Sequence, residues 1–506
     1  MSECIVETRY GKVQGYQQGA ICVWKGIPFA RPPVGARRFR PPEPPESWTG
    51  VRPTTAFSPM APQVAEMGAS MVGAIGAERV VDPRPISEDC LYLNIWSPAA
   101  DQGKRPVMVY IHGGAFTIGS ASDPWYDGTS FAERHNIVVV SLNYRLGILG
   151  FVYLKELAGA GSSYSGNCGL LDQIAALRWV RENIAAFGGD PENVTVMGES
   201  AGAMSIAALL GMPAARGLFK RAILQSGAAG DLPTGAEATR VAQALLSKLG
   251  LDPSQVEALA EVPLEALLKV QPELGQEFGG VRAFSPVIDG ETLPRHPLEM
   301  LAQGLARDVA VLVGTNRDEW RLFALMGGGA QINEALLRRL FGDAAQQVLA
   351  RYIAAREDHS PELAWIDLMG DLVFRIPAIR LAEAQVRQGA PVWMYRFDWK
   401  SPAFGGALGA AHAMDIPFVF NTLDVGLSRL FTGTAPSRQT LADLMHAAWA
   451  AFIRDGNPQL PGLPAWPRYD LERRATLIWD ETPSLAEDPQ GELRALWEGV
   501  RLPGPA

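Results

Sequence analysis

Runs of consecutive apolar residues, many of them β-branched, alternate with segments of helical periodicity along the chain. Val107–Ile111 and Ile137–Leu142 are two such runs. The same pattern marks candidate strands at 194–197, 222–224, 309–313 and 392–395. Between them, residues 172–187 place apolar side chains three or four positions apart, which predicts an amphipathic helix. Apolar strands that alternate with helices are typical of a parallel sheet buried on both faces, so we predict an α/β fold with a large, mostly parallel central sheet and helices on both sides.

Two stretches interrupt this alternation. Residues 231–280 and 329–388 have mainly helical patterns and contain no strong candidate strand. No linker-like segment separates them from their surroundings. We therefore predict a single domain over residues 1–506, in which the two stretches are helical insertions that cover the carboxyl edge of the sheet as lid or regulatory regions.

The composition is that of a globular protein and excludes several classes. Hydrophobic residues make up 47% of the 506 residues and charged residues 20%, which excludes a mostly disordered chain. The formal net charge of −9 argues against nucleic acid or an anionic membrane surface as a partner.

The cysteines and the apolar segments indicate the compartment. Cys4, Cys22, Cys90 and Cys168 form neither a CxxC pair nor a disulfide framework. The first residues lack the basic and apolar regions of a secretory signal, and the longest nearly apolar run, 201–215, is too short to span a bilayer. We expect a cytoplasmic protein with no membrane partner.

The pentapeptide Gly198-Glu199-Ser200-Ala201-Gly202 matches the G-x-S-x-G pattern and lies between a predicted strand and a predicted helix. In that context a sharp turn holds the central side chain clear of the sheet, and the flanking glycines let strand and helix approach closely. A helix N-cap serine is the alternative interpretation. We predict that Ser200 is a nucleophile.

A serine nucleophile requires a base and an orienting acid, which follow it in the order Ser, Asp or Glu, His in hydrolases with this turn. His412 fits that order and lies in a loop-like stretch, whereas His446 lies in a probable helix and is interpreted as structural. Asp318 and Glu319 both follow a late candidate strand. Position alone does not choose between these two carboxylates.

The glycine-rich segment 112–116, His-Gly-Gly-Ala-Phe, directly follows a candidate strand upstream of Ser200. It matches the loops that donate backbone N–H groups to a developing oxyanion, with a further N–H from Ala201. A plain glycine turn is the alternative. The chain contains no phosphate-binding loop, no H-E-x-x-H zinc motif and no G-x-G-x-x-G dinucleotide motif, so we expect no metal and no cofactor.

Several long motifs in a fixed order resemble the type-B carboxylesterase family, which includes bacterial para-nitrobenzyl-type esterases, liver carboxylesterases and cholinesterases. They lie at 24–35, 87–96, 187–202, 455–458 and 466–469. The resemblance covers nearly the whole chain and implies an α/β-hydrolase fold and serine esterase activity.

The resemblance also implies roles for individual residues. It assigns the acid to Glu319, although Trp320 stands where the family usually has glycine, and it assigns the base to His412. The implied oxyanion donors are Gly114, Ala115 and Ala201, with Gly113 adjacent. The implied supporting residues are Glu199, Ser226 and the ion pairs Arg38–Glu88 and Arg145–Asp172; for the four charged residues, ordinary surface charge is the alternative.

Two departures from the family pattern bear on the compartment of the protein and on its substrates. Secreted relatives pair the cysteine that matches Cys90 with an earlier one, but residues 61–86 contain no cysteine, which agrees with a reducing compartment. The same residues contain no tryptophan, the residue with which cholinesterases hold a quaternary ammonium group. We therefore do not expect choline esters to be the substrates.

We predict two-step acyl transfer through an acyl-enzyme on Ser200, with a small-molecule ester as substrate and a monomer or homodimer as the active form. Uncharged, moderately hydrophobic esters fit best, because aromatic side chains near the motifs suggest an apolar pocket. Those side chains are Phe116, Phe284, Trp320, Phe323 and Phe418. The alternatives are carbamates, amides or lactones as substrates, or a non-catalytic binding protein of the same family.

Overall fold

A computed structural model describes residues 4–64, 85–159, 161–327 and 329–502 of the chain. Most of the stretch 61–86, in which the sequence lacks a cysteine and a tryptophan, lies outside the described residues. The same is true of the first and last few residues of the predicted single domain.

Fourteen strands are present in the described part of the chain. They are Ile5–Thr8 (β1), Gly11–Gln14 (β2), Tyr16–Gln18 (β3), Ile21–Pro28 (β4), Val51–Pro53 (β5), Tyr92–Ser97 (β6), Arg105–Ile111 (β7), Val138–Leu142 (β8), Gly189–Glu199 (β9), Arg221–Gln225 (β10), Ala310–Asn316 (β11), Val392–Phe397 (β12), Ala475–Trp479 (β13) and Ser484–Glu487 (β14).

The α-helices of the described residues surround these strands. They are Thr129–His135 (α1), Gly147–Phe151 (α2), Lys155–Ala158 (α3), Cys168–Asn183 (α4), Ala201–Leu210 (α5), Gly235–Lys248 (α6), Leu264–Glu277 (α7), Pro297–Ala302 (α8), Arg321–Leu325 (α9), Glu334–Phe341 (α10), Ala345–Ala354 (α11), Pro361–Gly370 (α12), Ile376–Arg387 (α13), Ile416–Phe420 (α14), Ser428–Thr432 (α15), Ser437–Asp455 (α16) and Gly491–Ala495 (α17).

Eleven strands form one sheet in the order β14-β13-β12-β11-β10-β9-β7-β8-β6-β4-β3. The strands from β13 to β8 are parallel to their neighbours, and the antiparallel pairs lie towards the two edges. The predicted α/β-hydrolase fold with a large, mostly parallel sheet is confirmed. A separate three-stranded sheet, β1-β2-β5, lies at the N-terminus.

Both faces of the central sheet are buried, as the uninterrupted apolar strands predict. Along β7, Val107, Val109 and Ile111 join one hydrophobic cluster, whereas the alternating Met108 and Tyr110 join another. Successive side chains of a strand point to opposite faces, so the two clusters lie on opposite sides of the sheet.

Two element boundaries differ from the prediction. Helix α4 begins at Cys168, four residues before the predicted start, because Cys168, Gly169 and Leu170 are already buried in the core. It then tightens into a 3₁₀ turn, Ile184–Phe187, that ends at Gly188 with a φ of +83°. Strand β9 is longer than the predicted strand at its N-terminal end, where it continues alongside β7 through a register irregularity.

Helices occupy both stretches that the sequence marks as insertions. Residues 231–280 contain α6 and α7 with a 3₁₀ segment, Pro253–Ala260, between them, and residues 329–388 contain α10 to α13. A function of these stretches as lids or regulatory regions stays a prediction.

A disulfide bond joins Cys4, directly before β1, to Cys22 on β4, with the two Cα atoms 5.9 Å apart. Cys90 and Cys168 are buried free thiols. The sequence does not predict this pairing, because Cys4 reaches β4 only in the folded chain, where its carbonyl accepts a hydrogen bond from the Trp24 indole N–H. The expectation of a reducing compartment, drawn from the absence of a cysteine at residues 61–86, did not anticipate this bond.

The described residues show neither a membrane-spanning helix nor a cluster of metal-binding side chains. They contain no helix that is long and apolar enough to cross a membrane. They also contain no group of three or more His, Cys, Asp or Glu side chains arranged to hold a metal ion.

Candidate active site

Ser200 lies at the junction of β9 and α5, in a backbone conformation that is rare for a residue with a side chain. Its φ is +55° and its ψ is −124°. The conformation is held from both sides: the Ser200 N–H donates to the carbonyl of Gln225 at 2.9 Å, and the Ser200 carbonyl accepts from the N–H of Met204 at 2.8 Å. Strain of this kind occurs where the surrounding structure fixes a functional side chain.

The two glycines of the pentapeptide allow the close approach of strand and helix. A Cβ atom on Gly202 would lie 2.0 Å from the carbonyl oxygen of Ile111, at the end of β7. A Cβ atom on Gly198 would lie 2.6 Å from the carbonyl carbon of Gly202. Both distances are too short for any side chain, so glycine is required at both positions.

His412 and Glu319 meet although they are far apart in sequence. His412 Nδ1 lies 2.7 Å from Glu319 Oε2, and Glu319 Oε1 accepts a hydrogen bond of 2.8 Å from the N–H of Asn316. Asp318 instead pairs with Arg321 at 2.9 Å. The contacts of Asp318 thus differ from those of Glu319, which alone of the two carboxylates touches the imidazole.

The opposite edge of the imidazole faces a second carboxylate. His412 Nε2 lies 3.1 Å from Glu199 Oε1. The neighbouring Ser200 Oγ makes no hydrogen bond within the described part of the chain, so the serine–histidine hydrogen bond is not formed. Glu199 and Ser200 nevertheless border one space: a Cβ atom on Gly113 would lie 2.9 Å from Glu199 Oε2 and 3.1 Å from Ser200 Cβ.

Burial and charge act in opposite directions on His412. Burial by itself lowers the pKa of the imidazole, but the carboxylates of Glu199 and Glu319 outweigh it and raise that pKa to about 9. Burial raises the pKa of Glu199, and the facing imidazole opposes that shift. His412 therefore holds its second proton more firmly than an exposed histidine does.

Asp415, which the sequence analysis did not single out, is a third buried acid near His412. It is fully buried and accepts hydrogen bonds from Gln225 Nε2 at 2.8 Å and from the Tyr395 hydroxyl at 2.9 Å. Burial raises the pKa of its carboxyl group. No pattern in the sequence reveals such a residue, because only its burial distinguishes it from other aspartates.

The loop after β7 presents free backbone donors beside Ser200. The N–H groups of Gly113, Gly114 and Ala115 donate no hydrogen bond to any described residue, and neither does that of Ala201, at the first position of α5. Gly114 and Ala115 have φ values of +110° and +53°, which turn the chain sharply at this point. Such an arrangement of unpaired N–H groups can stabilise negative charge on a reacting oxygen.

His112 opens this loop but is unsuited to act as a base. Its ring stacks on Tyr144 with 4.5 Å between centroids, and its Nδ1 lies 2.8 Å from the carbonyl oxygen of Gly113. Burial lowers the pKa of His112 to about 4. His446 is likewise held in the core, where its ring nitrogens contact the Val419 carbonyl and the Ser130 hydroxyl.

The structure also places Ser226 and the two ion pairs that the family resemblance implies. Ser226 has a φ of +48° and is fully buried, with a hydroxyl that has no partner among the described residues. Arg38 Nε donates to Glu88 at 2.7 Å. Arg145 binds Asp172 through two side-chain hydrogen bonds of 2.7 and 2.8 Å. Both ion pairs are therefore present.

The five aromatic side chains expected to line a pocket lie in different places. Phe323 contacts the His412 ring at 5.1 Å between centroids, and Trp320 contacts Phe323 at 4.7 Å. Phe116 and Phe284 are buried in the hydrophobic cluster that contains Val107. Phe418 belongs to the cluster on the opposite face of the sheet, which contains Met108.

Phe418 packs on Phe397 and Trp399, with ring centroids 5.2 and 4.9 Å away, and is fully buried, so it is a core residue. Phe374, which the sequence analysis did not name, lies closer to His412, with 4.6 Å between ring centroids. Sequence position suggested Phe418 because it follows His412 closely, but helix α14 turns its side chain into the core.

Comparisons with known proteins agree over nearly the full length. A family model described as the carboxylesterase family matches residues 2–497. The chain is 43% identical to a para-nitrobenzyl esterase of Bacillus subtilis over 98% of both chains. It is 40% identical to a phenmedipham hydrolase of Pseudarthrobacter oxydans, over 96% of this chain and 97% of that protein.

Solved structures give the same result. A carboxylesterase of Geobacillus stearothermophilus superposes with a TM-score of 0.88 at 43% identity, covering 98% of this chain and 100% of that one. A structure described as a PNB esterase superposes with a TM-score of 0.84 at 42% identity, over 98% and 100% of the two chains.

Proposed function

This chain belongs to the carboxylesterase family, and we propose that it hydrolyses uncharged, moderately hydrophobic carboxylic esters through an acyl-enzyme on Ser200. One observation carries the assignment of residues: the 2.7 Å contact between His412 Nδ1 and Glu319, beside a serine held at a positive φ. The comparisons favour ester hydrolysis over carbamates, amides and lactones and over a non-catalytic protein.

In the first step Ser200 Oγ attacks the ester carbonyl carbon and passes its proton to His412 Nε2. Glu319 accepts the hydrogen bond of the Nδ1–H group, which fixes the tautomer and stabilises the imidazolium that forms. The hydrogen bond between Ser200 and His412 must form in the substrate complex, as catalytic hydrogen bonds that are long in free enzymes often do.

The tetrahedral oxygen receives hydrogen bonds from the unpaired N–H groups of Gly114, Ala115 and Ala201, with Gly113 beside them. Removing one donor of this kind typically lowers the rate by about 10²–10³-fold. The intermediate then breaks its bond to the alcohol, which leaves with the proton from His412. Water attacks the acyl-enzyme in the same way and releases the acid, which restores Ser200.

The charge and polarity of the site support uncharged substrates. The carboxyl groups of Glu199 and Glu319 already face the two ring nitrogens of His412, so the imidazolium does not need an anionic substrate as its partner. The half-buried rings of Trp320 and Phe323 beside His412 favour an apolar substituent. A cytoplasmic location and a monomeric or homodimeric state stay predictions, and the net charge of −9 supports the absence of nucleic-acid and anionic-membrane partners.

The direct test is Ser200→Ala, assayed with p-nitrophenyl esters of increasing acyl length. We expect a loss of about 10⁴-fold or more in kcat with an unchanged circular dichroism spectrum, because the nucleophile is removed without altering the fold. Ser205→Ala, further along α5, is the matched control and should retain turnover. Near-normal rates in Ser200→Ala would refute the assignment.

A further inference from the structure

Three aromatic rings form a continuous wall along one side of His412. Phe374 and Phe323 contact the imidazole directly, with ring centroids 4.6 and 5.1 Å away. Trp320 extends the wall outwards: its ring lies 4.7 Å from that of Phe323 and 6.3 Å from that of Phe374. We call Trp320, Phe323 and Phe374 the aromatic wall.

Two separate elements bring these rings together. Trp320 immediately follows Glu319, and Phe323 lies three positions later on α9, so both project from the same side of that helix. Phe374 comes from a π-helical turn, Asp371–Arg375, between α12 and α13. Such turns are rare and re-aim side chains near functional sites.

Close packing fixes the wall relative to the proposed acid. A Cβ atom on Gly370, the last residue of α12, would lie 3.6 Å from Glu319 Cβ and 3.8 Å from the Trp320 nitrogen. The end of α12 therefore rests on the segment that carries Glu319 and Trp320.

The rings differ in how much they expose. Phe374 is only 2% exposed and so supports the wall from behind, whereas Trp320 and Phe323 are half-buried. Arg321, the charged side chain between them, is paired with Asp318 at 2.9 Å. The accessible part of the wall is thus aromatic, with its neighbouring cation already neutralised.

Aromatic rings stack on one another at centroid distances of about 4.5–7 Å and gain more than burial alone provides. We propose that Trp320 and Phe323 bind an aryl group of the substrate, so that this enzyme prefers esters with a benzyl or phenyl group to esters with a saturated ring of similar size. This inference rests on the proposed function and adds the class of substituent.

The test compares ester pairs that differ only in the aromaticity of one ring. Ethyl phenylacetate and ethyl cyclohexylacetate examine the acyl side, and benzyl acetate and cyclohexylmethyl acetate examine the alcohol side. We expect the wild-type enzyme to have the higher kcat/KM for the aryl ester in at least one pair. In Trp320→Leu that ratio should fall about threefold to tenfold, because the stacking partner is lost while an apolar side chain remains.

Trp48→Leu is the matched control, since Trp48 is also half-buried but lies in the N-terminal region, where its indole N–H donates to the Lys12 carbonyl. It should leave the aryl-to-cyclohexyl ratio unchanged. Trp320→Phe keeps a ring and should keep most of the preference. If Trp320→Leu fails to fold, Phe323→Leu serves as the test, because it removes the other half-buried ring and should also lower the ratio.

Equal rates for both members of each pair, or a ratio that Trp320→Leu (or Phe323→Leu in its place) leaves unchanged, would overturn the inference. The proposed function would survive that result as long as Ser200→Ala is inactive. If Ser200→Ala keeps its turnover, the proposed function itself fails. The two failures are therefore distinguishable in the same set of assays.

Discussion

His412, the proposed base, lies in surroundings that stabilise its positively charged form. Glu199 and Glu319 lie on opposite edges of its ring, and Asp415 is buried three residues further along the chain. A buried imidazolium is stable only when carboxylates compensate its lost hydration, and these do so. The same carboxylates make His412 a stronger base but keep it protonated to higher pH, so activity should decline on the acid side.

The pH dependence of kcat/KM tests how strongly Glu199 favours the protonated form of His412. In Glu199→Gln one negative charge is removed, so the pKa of His412 should fall and the neutral base should persist to lower pH. We expect the acid limb of kcat/KM for a p-nitrophenyl ester to move to lower pH. Glu362→Gln, on the exposed N-terminal turn of α12, is the control and should leave the limb in place. An acid limb that stays fixed or moves upwards in Glu199→Gln would contradict the electrostatic account.

Neutralising Glu319 should lower kcat far more than neutralising the adjacent Asp318. Glu319→Gln should lower kcat by about 10²–10⁴-fold, because the imidazole loses the carboxylate that fixes its tautomer and stabilises its charge. Asp318→Asn should have a much smaller effect, since Asp318 accepts from the Ala410 N–H and pairs with Arg321. Steady-state kinetics of both variants measures the two losses in kcat. A larger loss in Asp318→Asn than in Glu319→Gln would assign the role of the acid to Asp318.

At the scale of elements, the site exists because parallel strands end together. Strand β9 stays in register with β10, so that Glu199 is opposite Gln225, and Gln225 is opposite Gly314 on β11. The segments that follow these strands therefore meet at one edge of the sheet. Ligand sites of open α/β sheets form at this edge for the same reason.

The contact between α5 and β7 depends on the absence of a side chain at Gly202. Gly202→Ala would place a Cβ atom 2.0 Å from the Ile111 carbonyl oxygen, and neither backbone can retreat easily. We expect a loss of about 1–3 kcal/mol in the free energy of unfolding, together with reduced turnover. Gly230→Ala is the control, because a Cβ atom there would meet nothing within 4 Å. Equal stability of the two variants in urea unfolding would contradict this packing argument.

At the scale of the whole molecule, a buried ion pair ties distant segments together. Arg145 and Asp172 are 2% and 0% exposed, and Arg145 also donates to the Arg40 carbonyl at 2.8 Å. The pair therefore links the N-terminal region, the segment before α2 and helix α4. A buried charge that loses its partner is strongly destabilising, whereas an exposed one is not.

We expect Asp172→Asn to lower the free energy of unfolding by about 3–5 kcal/mol, because Arg145 is left as an uncompensated buried cation. Asp443→Asn breaks the exposed pair with Arg134 and should cost about 0–1 kcal/mol. Chemical denaturation of both variants gives the comparison. A small effect at Asp172 would show that water or another group replaces its carboxylate.

Local patterns determined much of the fold and part of the site. Apolar strands and helical periodicity were enough for a mostly parallel α/β sheet, since burial on both faces leaves a direct mark on the sequence. Ser200 could be found from its flanking glycines, because a tight strand-to-helix turn permits few other residues. The proposal of His412 as the base followed from chain order, and the proposal of Glu319 rather than Asp318 as the acid needed the family resemblance.

Only the tertiary structure decided which distant side chains touch. The pairing of Cys4 with Cys22, the burial of Asp415 and the approach of Phe374 to His412 depend on how elements pack, not on any local pattern. Phe418 was placed at the site by its position in the chain, and packing turned it into the core instead. A sequence records the preferences of each segment for strand, helix or turn, whereas distances between segments emerge only when the whole core is filled.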